Sequence, residues 1–338
     1  MHVRKKAVSF LLRTVITLGI LYWVLSSVPT QDYQQAALLF SIHVSLVIFA
    51  LVVLQVMLLA LRWYLLAKAA GSRISIPLSM IGILMSFFFS QGLPASIGGD
   101  SFRIWWHRRE GINTGIALKI ILFDRIYGML SLVFLCLGSV ILLSVFTAET
   151  TKTTAILLLV IIMGCFLGLF VMPLRLGVSS FIESIALRLP TPFKKALHWL
   201  VMVRDSLRQQ PLSMTFSLLG IGLLTHICVV VQVYVIGHAL NSNTISMMIC
   251  LASIPPALLI SYMPFSIAGW GVREASMVVA LGLFNIPAAT AILISLTIGM
   301  VIFCFSLAGG VMWMIGGFRS AYLAGENDAI SEPLSLNP

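Results

Sequence analysis

Two decapeptides place arginine, serine and glycine at matching positions in an otherwise apolar chain. Pro94-Ala95-Ser96-Ile97-Gly98-Gly99-Asp100-Ser101-Phe102-Arg103 and Pro264-Phe265-Ser266-Ile267-Ala268-Gly269-Trp270-Gly271-Val272-Arg273 both read P-x-S-I-x-G-x-x-x-R, and 264 − 94 = 170. Arginine carries a planar fork of donors that suits a phosphate or carboxylate. Gly98, Gly99, Gly269 and Gly271 allow tight turns and close backbone approach. Ser96 and Ser266 either donate to a substrate oxygen or cap the helices that follow. A short helix starting at each loop would aim its first N–H groups at a cavity, a ready anion site, with Arg103 and Arg273 in its first turn. The expected chemistry is recognition of an anionic headgroup between two such loops. Asp100, Glu274, Asp124 and Arg125 complete the candidate substrate-binding set. In the alternative reading the arginines are structural, paired with Asp100, Glu274 or Asp124. The Asp124-Arg125 pair lines the pathway, carries a coupling proton or pins a helix.

The elements that must position these residues follow from composition. The 338 residues are 59% hydrophobic and 9% charged, with a mean hydropathy of +1.06, against about 25% charged in a soluble globule. Apolar runs of roughly 20 residues, the length of a spanning helix, recur without strict alternation, which favours helices over a β-barrel. Full spans are expected at about 7–28, 41–66, 114–146, 153–173, 212–240 and 287–316. The first is read as an uncleaved span: its apolar stretch is too long for a signal peptide. Apolar segments 76–93 and 245–263 each run into a Pro/Gly-rich stretch and a short helical return. Residues 174–211 read as a basic amphipathic helix on the cytoplasmic face, and 319–338 as a disordered tail.

The net charge of +10 belongs to loops beside spans and to lipid headgroups, not to nucleic acid. Cys136, Cys165, Cys228, Cys250 and Cys304 occur singly, so neither a metal site nor a disulfide framework is expected. His226 and His238 read as satisfied interior histidines, and Trp105, Trp106, Trp270 and Trp313 as interface anchors or, for Trp270, a cavity wall. No Walker, GxSxG or HExxH motif occurs, so neither an enzyme nor a cofactor is expected.

The flanking spans also match at the 170-residue offset, which points to an internal duplication. If 76–93 dips in and returns at Arg103–Arg109, then Arg4–Lys6, Arg62–Arg73, Arg108–Arg109, Arg175–Arg208 and Arg319 all lie inside, leaving Lys152 as the outside cation. The expected fold is an all-α polytopic protein of the cytoplasmic (inner) membrane with both termini cytoplasmic. Its single domain, 1–318, is an inverted repeat, about 7–146 and 153–318, each half with three spans and a re-entrant hairpin.

At these residues the chain resembles the transmembrane region of lysylphosphatidylglycerol synthases and their stand-alone flippase-like relatives. The resemblance rests on Leu93-Pro94-Ala95-Ser96-Ile97-Gly98-Gly99-Asp100 with Arg103, on Asp124-Arg125 with Gly128, and on the run Pro264 to Glu274. It implies translocation of a lipid between leaflets. In bifunctional members a cytosolic synthase domain makes the lipid; about 20 residues follow Arg319 here, so lysyl transfer is not expected. The leading expectation is flipping of a lipid with a charged, phosphate-bearing head, with anionic lipids as partners. The alternatives are a non-transporting membrane partner of a lipid-modifying or glycosyl-transferring enzyme, and a secondary transporter of a small anion. Single cysteines at Ser101 and Trp106 should label from one and the same side of the membrane. Labelling of the two ends of 76–109 from opposite faces would rule out the re-entrant hairpin.

Overall fold

The computed structural model describes residues 42–92, 97–146, 209–240, 244–262 and 270–331. The spans expected at 7–28 and 153–173, nearly all of the basic segment 174–211, Ser96, Ser266 and Gly269 lie outside these residues. Eight helices form among the described residues: α1 (Ile42–Ala69), α2 (Ile76–Gly92), α3 (Ile97–Arg109), α4 (Thr114–Phe146), α5 (Leu212–Ala239), α6 (Met247–Ser261), α7 (Val272–Gly282) and α8 (Ala288–Ser331). No strand occurs among them. Within α1, α4, α5 and α8, four stretches are long and apolar enough to cross a bilayer.

Boundaries follow local chemistry. Asn113 Oδ1 accepts from the Gly115 N–H at the start of α4, and Ser246 Oγ accepts from Ile249 N–H at the start of α6; each satisfies a donor the helix itself leaves open. Gly271 opens α7 at φ +84°, a left-handed conformation that glycine adopts without a Cβ clash. The last helix runs to Ser331, so residues 319–331, expected as disordered tail, are helical. Ala, Leu and Glu in that stretch are good helix formers, and each added residue continues a helix already nucleated.

The helix order long, short, short, long occurs twice, in α1–α4 and in α5–α8. The pairings recur with it. The two first helices, α1 and α5, pack on each other, α2 packs on α3, and α6 on α7. The second helix of each half lies against the last helix of the other, α2 on α8 and α6 on α4. Phe89 of α2 and Phe102 of α3 both meet Trp313 of α8, at ring separations of 5.2 and 5.6 Å. The two larger buried clusters centre on Val230, Ile254, Met277 and Ile294 and on Val56, Trp63, Phe123 and Leu218. Cys136, Cys228 and Cys250 are buried while Cys304 is exposed, and all four are free thiols.

Polar groups inside this apolar body are matched across helices. Pro255 lies within α6 and has no N–H, so the Leu251 carbonyl one turn earlier loses its helical donor. The Ser139 hydroxyl of α4 supplies one, shared with the Leu135 carbonyl of its own helix. Interhelical bonds of this kind are worth about 1 kcal/mol in a membrane. Ser139→Ala should therefore lower the melting temperature in detergent, whereas Ser217→Ala, an exposed serine bonded only within α5, should leave it unchanged. Coincident melting curves for the two variants would remove Ser139 from the account of how α4 holds α6.

Candidate functional site

Charge is concentrated where α1, α3 and α4 meet. The Asp124 carboxylate accepts from Arg62 Nε at 2.6 Å through Oδ1 and from Arg103 Nη1 at 2.9 Å through Oδ2. All three side chains are more than nine-tenths buried. The Arg103 guanidinium also lies over the Trp63 ring, 4.7 Å from its centroid, and the Trp63 indole donates to His107 Nε2 at 3.0 Å. Two guanidinium groups thus share one carboxylate. The surplus shows in the bonding: Arg103 Nε and Nη2 and His107 Nδ1 are buried without a hydrogen-bond partner.

The other charges of the motif are balanced one to one. Arg125 bonds Asp100 at 2.8 Å, half-buried. On α7, Glu274 Oε1 accepts from Arg273 Nη2 at 2.8 Å and from Ser295 Oγ of α8 at 3.0 Å. Its Oε2 returns to the Gly271 N–H at 2.6 Å, so the carboxylate both caps α7 and holds the arginine. Arg273 packs on Trp270, with 4.7 Å between the guanidinium and the ring centroid.

Between these clusters lies a cavity of about 320 Å³, lined by α1, α5, α6, α7 and α8. Gln55, Thr225, His226, Gln232, Tyr262 and Arg273 provide its polar wall. A larger groove of about 690 Å³, walled by Trp105, Trp106, Met312 and Trp313, runs between α2, α3 and α8 with Arg109 and Glu110 on it. Among the described residues no three His, Cys, Asp or Glu side chains converge as a metal site would require.

The structure separates the two matched arginines. Arg273 lines the central cavity, and Arg103 does not. Arg103 is the seventh residue of α3 while Arg273 is the second of α7, so the expectation that both sit in a first helical turn holds for Arg273 alone. The α3 helix begins at Ile97 but α7 only at Val272, five residues later in the repeat frame. Gly98 and Gly99 are buried in the first turn of α3, where a Cβ on Gly99 would meet Ser90 Oγ at 2.5 Å and the Ser86 carbonyl at 2.7 Å. That glycine lets α2 and α3 close on each other.

Arg62 is the main residue missing from the sequence-based candidates. It counts there as a loop charge, yet it is buried within α1. A signal for it exists in the sequence: polar residues at 55 and 62 recur as Thr225 and Gln232 at the same 170-residue offset, seven apart and so on one helix face in both copies. His226 is buried, its Nε2 bonded to the Gly128 carbonyl at 3.0 Å. His238, expected inside, is exposed near the end of α5 and meets the Tyr234 ring edge-on at 4.5 Å.

Residues 10–310 match the family model described as Lysylphosphatidylglycerol synthase TM region. No curated protein matches the chain.

Removing one partner of a buried ion pair strands a charge, at a cost of about 3–5 kcal/mol. Asp124→Asn strands two arginines and should be the most destabilising change in the triad. Arg103→Ala leaves Arg62 and Asp124 paired one to one and should be far milder. Melting temperatures of the two variants in the same detergent check the order; equal losses would mean that the second guanidinium is not in surplus.

Proposed function

The chain belongs to the lysylphosphatidylglycerol synthase TM region family, a multi-pass membrane family linked to lipid handling, and on that premise we propose that it translocates a lipid with a phosphate-bearing head between the leaflets of the cytoplasmic membrane. The observation that carries this reading is the buried surplus cation, two arginines on Asp124 with the Nε and Nη2 donors of Arg103 unused. A buried donor without a partner costs about 1–3 kcal/mol, and more when charged. A phosphate oxygen pair arriving at that edge restores both the charge balance and the hydrogen bonds. The ligand then supplies what the empty site lacks, and binding energy is concentrated on its anionic group.

The short hairpins support a pathway rather than a sealed bundle. At 1.5 Å per residue, the 17 residues of α2 and the 15 of α6 reach about 25 Å and 22 Å, short of a hydrocarbon layer of about 30 Å. We read α2–α3 and α6–α7 as re-entrant hairpins entering from opposite sides, so that the halves form an inverted repeat. Irregular backbone at membrane depth is tolerated where it lines a wet cavity. The polar cavity between the halves is the place such loops would serve, with Arg273 on its wall.

Liposomes carrying fluorescent lipids with anionic, zwitterionic or cationic heads test the proposal. Wild-type protein should flip the anionic class. Arg103→Ala, charge-balanced and folded by its melting curve, should lose at least about tenfold of that rate, as expected for a charge-assisted contact, and Arg103→Lys should recover only part of it because an ammonium lacks the fork. Undiminished flipping by folded Arg103→Ala sinks the role of the triad, and flat traces for every head class sink translocation.

A further inference from the structure

The central cavity presents different chemistry from the triad. Its polar wall carries one charge, Arg273, which is paired with Glu274, and is otherwise uncharged, offering donors and acceptors together. Gln232 Nε2 donates to Gln55 Oε1 at 3.3 Å. That bond leaves the amide nitrogen of Gln55 and the amide oxygen of Gln232 without partners among the described residues. Whichever way the two amides are turned, the pair still shows one donor face and one acceptor. Thr225 Oγ1 spends its hydrogen on the Ile221 carbonyl at 2.8 Å and keeps lone pairs free. His226 donates through Nε2 to a carbonyl, so in the neutral ring Nδ1 is an acceptor. The Tyr262 hydroxyl can do either.

This pattern discriminates between headgroups. An ionised phosphate only accepts: Arg273, the Gln55 amide and the Tyr262 hydroxyl can donate to it, but the Gln232 carbonyl and His226 Nδ1 would face its oxygens as acceptors without a donor. An ammonium only donates, and needs a carboxylate. Glu274 is the acid next to this wall, and it is committed to Arg273, Ser295 and the Gly271 N–H. A hydroxyl both donates and accepts, and adjacent hydroxyls can satisfy alternating partners. The volume, about 320 Å³, is at the lower end of the range for small-molecule sites, about 300–1,000 Å³. It holds a headgroup without its acyl chains.

We propose that the cavity walled by Gln55, Thr225, His226, Gln232 and Tyr262 recognises a vicinal diol, as carried by a glycerol or a sugar headgroup. The inference rests on the lipid-translocation reading and adds to it the uncharged part of the head, with phosphate assigned to the Arg103 edge. A lipid bearing phosphate and a diol engages both. A glycolipid without phosphate engages the cavity alone.

The test uses binding, measured separately from flipping. The purified full chain is placed in an amine-oxide detergent, whose head carries no sugar, and titrated with four dihexanoyl lipids. These are phosphatidylglycerol, glucosyl diacylglycerol, phosphatidic acid and phosphatidylethanolamine, with affinity read from the concentration dependence of the thermal shift. The diol-bearing pair should bind at least about tenfold tighter than phosphatidic acid and phosphatidylethanolamine, the scale on which sites built to bond a hydroxyl reject its absence. Phosphatidylglycerol alone in the tight class identifies a glycerol head; the glucolipid alone, or ahead of it, identifies a sugar. Gln55→Leu/Gln232→Leu should erase the preference. Thr225→Val, an isosteric change least prone to disturb folding, should narrow it. Equal binding of all four lipids, or tightest binding of phosphatidic acid, overturns the assignment. A diol preference with no flipping in liposomes leaves the cavity assignment standing and removes translocation. Flipping without a diol preference does the reverse.

Discussion

Asp124 accepts from two arginines on two other helices, and much of the first half is arranged around that bond. A carboxylate in an apolar body is tolerated only when neutralised and fully hydrogen-bonded. Arg62 on α1 and Arg103 on α3 meet that need from opposite oxygens, and so fix three helices relative to one another. Trp63, next in sequence to Arg62, then serves Arg103 twice over: its ring lies against the guanidinium and its indole holds His107 one turn further along α3. A second cation at Asp124 turns a structural pair into a group with unspent donors.

The second half solves the same problem differently. At the position that matches Arg62, α5 carries Gln232, and an amide pair with Gln55 takes the place of an ion pair. The half's own charge is confined to neighbours in sequence, Arg273 and Glu274, closed by Ser295 and by the α7 N-terminus. Such a cluster is neutral, with Arg273 Nε and Nη2 both bonded, so it fixes the start of α7 without calling for a counterion. The result is asymmetric in charge although the helix order repeats. One side of the protein's centre holds the unpaired Arg103 donors, and the middle is walled mainly by uncharged polar groups.

The described helices were legible because their cause is local. Apolar runs of spanning length and the Pro/Gly breaks at 94–99 and 264–271 mark them directly. Depth was not legible. Arg62 stands near one end of an apolar run, where a charge normally marks a loop, but α1 is 28 residues, about 42 Å at 1.5 Å per residue. A helix longer than the hydrocarbon layer leaves the position of its charges to tertiary packing. The site fared likewise: the motif picked out Arg103, Asp124, Arg273 and Glu274, but which acid takes which base depends on helix crossings no spacing reveals. The shift between α3 and α7 is of the same kind. Matched arginines fall five residues apart in helical frame because glycine at 271, in a conformation only cheap without a Cβ, delays the second helix.

The division of labour between the triad and the cavity bears on how a headgroup could move at all. A site that bound the whole head through charge would hold it against a steep desolvation barrier on every side, since leaving would expose an unpaired arginine to an apolar body. Splitting recognition lowers that barrier. Hydroxyl contacts are individually modest and exchange readily with water, whereas the charged contact is made at one edge, with Arg103 still tied to Asp124 when the ligand departs. On the proposed reading the Asp124 carboxylate is the counterion of the resting state, and a lipid phosphate would add to it without displacing it. Strong, persistent pairing holds the helices; weaker, exchangeable bonding lines the cavity.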